Sequence, residues 1–221
     1  PHTMSTPIRL CCLASGGGRT ILNLQDRIDA GALNAVIESV IVSRPQLAAV
    51  DRCIQRGLPV RTPPNNASLD EWVLSNLCNL QPDLICLCGY LRLVPIAPWM
   101  IGNVINIHPA LLPNFGGKGM HGRHVHEAVL ASGRRESGCT VHIVDAQYDH
   151  GPTILQRSCM VHREDTPDTL AARVFKTECD AYPAAIQMIA EGRVRFGEGP
   201  VEIAEPGDRW PDAIGRHARH E

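Results

Sequence analysis

A polar pair at the end of an apolar run is the part of this sequence best suited to chemistry. Asn106 and His108 follow Val104 and Ile105 and are separated only by Ile107. Alternate residues of a strand face the same side, so the two polar side chains are predicted to project together. An amide that donates hydrogen bonds, beside an imidazole that can carry a proton, suits reactions at a carbonyl carbon. Taken alone, such a pair is more often a satisfied structural contact, but its position at the carboxyl end of a strand supports the functional interpretation equally.

A glycine-rich turn supplies a candidate anion site. It lies between a predicted strand and a predicted helix and consists of Gly16, Gly17, Gly18, Arg19 and Thr20. Glycines allow the backbone to approach an anion closely, and a helix N-terminus offers unpaired N–H groups. No Gly-Lys-Ser/Thr of a nucleoside-triphosphate loop follows, and the third glycine of a dinucleotide fingerprint is replaced by an isoleucine. We therefore predict a monophosphate site, with a tight strand-to-helix turn as the alternative.

Two further groups depend on where the chain places them. Asp149 lies in a turn, where a carboxylate usually serves the turn itself. If this turn reaches His108, the carboxylate could hold the protonation state of the imidazole or take a proton through water. His121, His124 and His126 lie in a predicted glycine-rich loop. No carboxylate or cysteine spacing accompanies them, so we predict no metal site and solvent-facing or substrate-side histidines.

The composition is that of an ordinary globular protein. The 221 residues are 44% hydrophobic and 20% charged, with a formal net charge of -2, so there is no electrostatic footprint for nucleic acid. No apolar run approaches the roughly 20 residues of a membrane helix, and no signal peptide is evident. The nine cysteines form no C-x-x-C pair and are predicted to be reduced thiols. We expect a cytoplasmic protein that acts on small molecules as a monomer or homodimer, without nucleic acid or membrane partners.

The elements that must position these groups alternate between strands and helices. We predict strands at 8–14, 36–42, 59–61, 84–88, 104–107, 139–144 and 153–161, and helices at 19–30, 46–56, 69–80 and 166–191. Pro183 is expected to kink or interrupt the last helix. The alternation predicts an α/β fold, a mostly parallel sheet with helices on both faces. Ligands of such sheets bind beyond the carboxyl ends of the strands, where the polar pair and the glycine turn both lie.

Together these residues resemble the folate-dependent formyltransferases. Three blocks carry the resemblance, which covers roughly residues 8–195: Asn106 to Pro113, Gly138 to His142, and Asp149 to Gln156. It implies a Rossmann-like formyltransferase fold over residues 4–196 and a cis bond before Pro113. It is nearest to the branch that formylates 5'-phosphoribosylglycinamide in purine biosynthesis, with 10-formyltetrahydrofolate as co-substrate. Residues 197–221 are predicted to be a partly ordered tail, and residues 1–3 look like a cloning remnant.

The resemblance also implies residue roles. Asn106 would stabilise the tetrahedral oxyanion, His108 would lie beside the formyl group, and Asp149 would position the histidine and help proton transfer. The backbone of residues 16–20 would hold the substrate phosphate, and Glu178 would contact the ribose. The folate would lie against two segments: Leu91, Arg92, Leu93 and Val94, and Val144, Asp145, Ala146, Gln147 and Tyr148. Relatives usually carry Asn and Ser at positions 17 and 19, so side-chain contacts to the phosphate are expected to differ.

Other readings of the same scaffold remain open. A sugar-nucleotide amine formyltransferase shares the Asn-x-His and Asp core but often carries a C-terminal module. A methionyl-tRNA formyltransferase needs an RNA-binding domain and a basic surface, and a formyltetrahydrofolate hydrolase carries an added N-terminal domain. A folate or nucleotide sensor without catalysis is the alternative from another class, although it need not retain Asn106, His108 and Asp149 together.

Overall fold

A seven-stranded sheet forms the centre of the molecule, which we describe from a computed structural model covering residues 6–197 and 200–215. The expectation for residues 1–3 lies outside these described residues. The strands of this sheet are β1 (Ile8–Ala14), β2 (Ala35–Val42), β3 (Val60–Arg61), β4 (Leu84–Leu87), β5 (Val104–His108), β6 (Glu136–Ile143) and β7 (Thr153–Met160). Their spatial order is β3-β2-β1-β4-β5-β6-β7. The first five in this order are parallel, and β6 pairs antiparallel with both β5 and β7, so only β6 is reversed. This confirms the mostly parallel sheet.

Five α-helices connect and cover the strands. They are α1 (Arg19–Asp29), α2 (Ala48–Gln55), α3 (Leu69–Leu80), α4 (Arg123–Ala131) and α5 (Pro167–Ala190), and a short 3-10 turn spans Pro98–Met100. The predicted boundaries lie within two residues of these, except that β6 begins three residues earlier than expected. The sequence prediction missed α4, because its buried face contains only Val125 and Val129 as large apolar residues, with His126 between them.

The two faces of β1 divide the core into two layers. Leu10 and Cys12 belong to a cluster that includes buried residues of α1, α2, α4 and α5. Cys11 and Leu13, which point the opposite way, belong to a second cluster with buried residues of α3. Strands covered on both sides read as continuous apolar runs, as these do. Helices therefore lie on both faces of the sheet, as predicted.

Of the kink or interruption expected at Pro183, the interruption is wrong, because α5 continues through it to Ala190, whereas the kink stays a prediction. A proline leaves the carbonyl four residues earlier without its helical donor. Here that carbonyl belongs to Cys179, and its oxygen accepts from the Asn23 amide at 3.0 Å and from the Arg27 guanidinium at 3.3 Å. Two side chains of α1 thus replace the missing hydrogen bond, which sequence reasoning on α5 alone did not anticipate.

The segment after the long helix returns to the domain. Strands β8 (Val194–Arg195) and β9 (Glu202–Ile203) form a small antiparallel pair. Ile214 is buried against the first core cluster, and its N–H donates to the Val194 carbonyl at 3.0 Å. The boundary at 196 and a partly ordered tail stay predictions. No helix in the described part of the chain is long and apolar enough to cross a membrane. The Leu112-Pro113 bond is cis.

Candidate active site

A cleft with a cavity volume of about 770 Å³ opens beyond the carboxyl ends of β1, β4 and β5. Its walls bring together Asn106, His108, Asp149 and Glu178 with the glycine turn of residues 16–20. Segment 91–94 and residues 144, 147 and 148 of the predicted folate segments line it as well. Asp145 and Ala146 are not among the lining residues. Asp145 instead holds the turn, accepting from the Gln147 N–H at 2.8 Å.

The β5 pair projects as its spacing predicts. Asn106 and His108 both face the cleft, while Ile105 and Ile107 belong to the first core cluster. His108 is 3% exposed, so its imidazole meets the cleft only at its edge. Polar side chains at the end of a buried strand are therefore presented by a rigid element, which preserves their spacing.

Asp149 reaches both members of the pair from the loop after β6. Its Oδ2 lies 3.4 Å from His108 Nδ1, and its Oδ1 lies 3.4 Å from the Asn106 amide nitrogen. The Gly117 N–H donates to Oδ2 at 3.0 Å. Asp149 adopts a left-handed backbone with φ 53°, and a Cβ on Gly151 would lie 1.8 Å from the Ile143 carbonyl oxygen. The chain therefore makes a tight turn at Gly151 that only glycine allows, and this turn places the Asp149 carboxylate beside His108 and Asn106.

The protonation state of His108 follows from its neighbours. Its Nε2 lies 2.7 Å from the Phe115 carbonyl oxygen, which only accepts, so Nε2 carries the hydrogen. Burial lowers the pKa of His108, outweighing the opposing charge of Asp149. The imidazole is therefore neutral near pH 7, and its Nδ1 lone pair faces the carboxylate. A proton that arrives at Nδ1 would turn this repulsion into a charge-assisted hydrogen bond.

Asp149 is held as the carboxylate. Burial alone would raise its pKa, but the neighbouring His142 and His108 imidazoles and the hydrogen bond from the Gly117 N–H together bring the pKa below its ordinary value. The site therefore combines a neutral base with an ionised partner. Neither group carries the proton to be transferred near pH 7, because both pKa values are lowered, so the pair can accept a proton without first losing one.

His142 orients Asn106, and sequence reasoning gave it no role. The two residues are directly paired across β5 and β6. His142 Nδ1 lies 2.9 Å from the Ile143 carbonyl oxygen, so Nδ1 donates and Nε2 is free to accept. The Asn106 amide nitrogen lies 3.2 Å from that Nε2. One amide hydrogen is thus committed to His142, while the other makes only the long contact to Asp149. The one available signal was a histidine inside an apolar strand.

The glycine turn is shaped by α2. Gly18 adopts φ 75° at the start of α1, and a Cβ there would lie 3.0 Å from the Ala49 side chain. Arg52 donates to the Gly17 carbonyl oxygen at 2.8 Å, and a Cβ on Gly17 would lie 2.9 Å from the same guanidinium nitrogen. No side chain caps α1, so its first N–H groups remain available to an anion.

Glu178 closes the same side of the cleft from α5. Burial raises its pKa to about 7, although the nearby charge of Arg19 opposes the rise. A carboxyl group with this pKa changes charge near neutrality. It can accept hydrogen bonds from hydroxyl groups in its ionised form and donate one in its protonated form.

The histidine loop differs from the prediction. His124 and His126 lie on α4 and not in a loop. His126 is buried, lines the cleft and has an Nδ1 without a partner within the described residues, and burial lowers its pKa. His124 points outward toward Glu127, with 3.4 Å between Nδ1 and the carboxylate. Among residues 6–197 and 200–215, no group of three or more His, Cys, Asp or Glu side chains could hold a metal ion.

Comparison with known proteins assigns the family. The formyl transferase family matches residues 8–186 of this sequence. The chain belongs to the formyl transferase family. It is 34% identical over 206 residues to the chloroplastic phosphoribosylglycinamide formyltransferase of Arabidopsis thaliana, covering 89% of this chain and 70% of that protein. It is 36% identical to the trifunctional purine biosynthetic protein adenosine-3 of Bos taurus, covering 86% of this chain but only 19% of that protein.

A solved structure agrees with both sequence matches. The glycinamide ribonucleotide transformylase 1 of Symbiobacterium toebii superposes with a TM-score of 0.80 at 32% identity, covering 90% of this chain and 95% of the other. The α/β formyltransferase fold predicted from the sequence is thereby confirmed.

Proposed function

We propose that this protein transfers a formyl group from 10-formyltetrahydrofolate to the amine of 5'-phosphoribosylglycinamide in purine biosynthesis. The relatives at 34% and 36% identity carry the corresponding names, and the family is one of folate-dependent formyl transfer. We further propose that the enzyme works in the cytoplasm on these small molecules, as a monomer or homodimer and without nucleic acid. The net charge of -2 supports the last point.

One observation carries the proposal. His108 is a neutral imidazole whose Nε2 is committed to the Phe115 carbonyl, so its Nδ1, 3.4 Å from the Asp149 carboxylate, is the atom that can take a proton. Formyl transfer to an amine needs such a base. The attacking nitrogen gains a positive charge as its bond to carbon forms, and it must lose a proton before the product is stable.

The proposed reaction balances with the groups present. The substrate amine attacks the formyl carbon, and the carbonyl electron pair moves to oxygen. The Asn106 amide hydrogen that is not committed to His142 donates to this oxyanion, in place of its long contact to Asp149. The ammonium proton moves toward His108 Nδ1 and Asp149, directly or through water. The oxyanion then collapses, the bond to folate N10 breaks, and N10 takes the proton that His108 and Asp149 received from the amine.

The two ends of the cleft suit the two substrates. Leu91 and Leu93 are large apolar side chains that remain exposed in the cleft wall, and the hydroxyl of Tyr148 donates to the Leu91 carbonyl at 3.4 Å. An apolar wall with backbone groups at its edge suits the flat pterin of the folate. The glycine turn and Glu178 at the other end suit a phosphate and a ribose.

The test is a direct assay of formyl transfer. Purified protein with 10-formyltetrahydrofolate and 5'-phosphoribosylglycinamide should release tetrahydrofolate and form the formylated ribonucleotide. A sugar-nucleotide amine, run beside it, should give no product above background. Product from the sugar-nucleotide amine alone would replace the proposed substrate. Tetrahydrofolate and formate released without any amine would indicate a hydrolase, and binding of both ligands without product would indicate a sensor.

A further inference from the structure

Arg19 differs from the other arginines of the cleft wall. It is the first residue of α1, and its guanidinium carbon lies 4.3 Å from the centre of the Phe175 ring. Both side chains line the cleft. In the part of the chain that the structure describes, the Arg19 guanidinium makes no hydrogen bond or ion pair with protein, so its N–H groups are available to a ligand.

The other two arginines of the cleft wall, Arg92 and Arg123, are already paired with carboxylates. Arg92 makes a bidentate contact with Asp70, at 3.0 and 2.9 Å. Arg123 donates to Glu127 at 2.8 Å and to Asp168 at 2.7 Å. An arginine held between carboxylates has little to offer an incoming anion, whereas a guanidinium stacked on a ring keeps the edges of its plane open.

We propose that the Arg19 side chain, held against Phe175, binds the substrate phosphate directly and selects the phosphorylated substrate over its dephosphorylated form. The inference rests on the proposed function, because that function places a phosphate at the adjacent glycine turn. Position 17 offers no side chain of its own, and Arg52 is committed to the Gly17 carbonyl. Arg19 therefore supplies the side-chain contact, in addition to the backbone N–H groups of the turn.

The charges around the turn favour this arrangement. A phosphate dianion at the start of α1 would lie on the same side of the cleft as the Glu178 carboxylate. The positive charge of Arg19 already acts on Glu178, since it opposes the rise of that residue's pKa. Arg19 would thus reduce the repulsion between phosphate and carboxylate while contacting the phosphate itself. The stacking on Phe175 limits the side-chain entropy lost on binding.

Calorimetry with three ligands tests the proposal. Arg19→Gln should bind 5'-phosphoribosylglycinamide and inorganic phosphate about 10- to 100-fold more weakly, as expected for losing a charge-assisted contact. Measured well above pH 7, where Glu178 is ionised in both proteins, its affinity for the dephosphorylated riboside should be unchanged. Phe175→Leu, which removes the ring but keeps an apolar side chain, should lose a smaller part of phosphate affinity. Arg19→Lys should recover part of the loss as a point charge.

Controls separate a ligand contact from a structural effect. Arg123→Gln, at an arginine already paired, should bind all three ligands as the unmodified protein does. Arg19→Gln should also shift the pH dependence of ribonucleotide binding upward, because Glu178 loses a nearby positive charge, whereas Arg19→Lys, which keeps the charge, should not.

Three outcomes would overturn the proposal. The first is an equal loss of affinity for riboside and ribonucleotide in Arg19→Gln. The second is an unchanged affinity of Arg19→Gln for inorganic phosphate. The third is an Arg19→Lys variant that unfolds at the normal temperature but recovers no phosphate affinity. The proposed function fails separately: the unmodified protein would then not formylate 5'-phosphoribosylglycinamide, while Arg19-dependent binding of inorganic phosphate could still be measured.

Discussion

The two nitrogens of His108 have different tasks because their neighbours differ. Nε2 donates to the Phe115 carbonyl, whereas Nδ1 faces Asp149. We expect substrate binding to depend on neither contact, because the phosphate and ribose are proposed to be held elsewhere in the cleft. At the scale of single residues, the proposed chemistry therefore divides into a binding half and a proton-transfer half, and each half can be tested alone.

The first prediction concerns the proton-transfer half. His108→Ala and Asp149→Asn should each lower kcat about 10²- to 10⁴-fold, while the Kd of the ribonucleotide changes little. Since the two groups share one proton, the double variant should be little slower than the slower single variant. Single-turnover formyl transfer and separate calorimetry measure these effects. His150→Ala, in the same loop but outside the cleft lining, is the control and should remain active; multiplicative losses would show that His108 and Asp149 act independently.

The second prediction concerns the binding half and is a pH effect at Glu178. Its pKa of about 7 means that lowering the pH through neutrality protonates a carboxylate proposed to accept from the ribose. Ribonucleotide affinity of the unmodified protein should therefore weaken more steeply below about pH 7 than that of Glu178→Gln. Both proteins bind the same titrating phosphate, so subtracting one pH dependence of affinity from the other leaves only the effect of Glu178. Parallel curves would place Glu178 outside the ribose site.

The same residue should carry an opposite stability effect. The folded pKa of Glu178 is raised above its ordinary value of 4.5, so between these values the folded state holds a proton that the unfolded state has lost. Stability therefore falls as pH rises from about 4.5 to 7, and the cost persists above 7. Glu178→Gln should unfold at a higher temperature than the unmodified protein at about pH 8, and this gap should shrink toward pH 5. A constant gap would contradict the titration.

At the scale of elements, the loop after β6 and the long helix α5 fix the site from two sides. The loop carries Asp149 back to β5, and the N–H of Ile143 donates to the Pro152 carbonyl at 2.9 Å. From α5, the buried Tyr182 hydroxyl lies 3.0 Å from the Leu87 carbonyl oxygen and 3.2 Å from that of Ile105. Helix and loop thus hold the strand ends that present the pair.

The third prediction tests the loop through Gly151. An alanine Cβ there would lie 1.8 Å from the Ile143 carbonyl oxygen, and backbone atoms cannot rotate away as a flexible side chain can. Gly151→Ala should shift Asp149 and lower kcat by about 10²-fold, since displacements of about 1 Å have this cost. Gly197→Ala, with nothing within 4 Å of its added Cβ, should leave kcat unchanged. Full activity of Gly151→Ala would show that the loop position is not critical.

The fourth prediction tests the helix through Tyr182. Tyr182→Phe keeps the ring but removes a hydroxyl that serves two buried carbonyl groups. We expect the free energy of unfolding to fall by about 1–3 kcal/mol, the cost of leaving buried polar groups unsatisfied. Urea unfolding measures this, and an unchanged slope would show that the unfolded state is unaffected. An unchanged midpoint would mean that the carbonyl groups find other donors.

At the scale of the whole molecule, the segment after α5 contributes to the fold but not to the cleft. Ile214 packs against the first core cluster, and the Gly215 N–H donates to the Asn103 side chain at 2.7 Å. The Arg195 guanidinium lies 4.0 Å from the Trp210 ring centre. None of residues 200–215 lines the cleft. Stability and catalysis are therefore separable here.

The fifth prediction follows from that separation. Removing residues 198–221 should destabilise the protein by at least about 1.5–3 kcal/mol, the contribution of burying one large aliphatic side chain. This corresponds to a fall in Tm of several degrees, on the order of 2–4 °C per kcal/mol for a chain of this size. Formyl transfer measured well below the Tm should persist. Ile214→Ala in the full chain should reproduce part of the loss, and loss of activity without loss of stability would contradict the separation.

Local patterns in the sequence determined most of the elements. The apolar runs of β1 and β4 and the spacing in α1 and α3 predict strands and helices because their residues meet the core in a fixed period. The sequence also determined that the Asn106 and His108 side chains project to the same side of β5, because this depends only on strand geometry. The glycine turn before α1 likewise predicts an anion site from local backbone properties.

Tertiary structure decided what depends on residues far apart in the chain. The position of Asp149 beside His108 requires β6 to pair antiparallel with β5, and the role of His142 appears only when it lies across from Asn106. Helix α4 is stabilised by burying Val125, His126 and Val129, a face too short and too polar to be recognised from the sequence of α4 alone. Helix α5 passes through Pro183 because α1 supplies hydrogen bonds to the freed carbonyl. Each of these depends on a partner contributed by another element, and a pattern along one segment does not contain its partner.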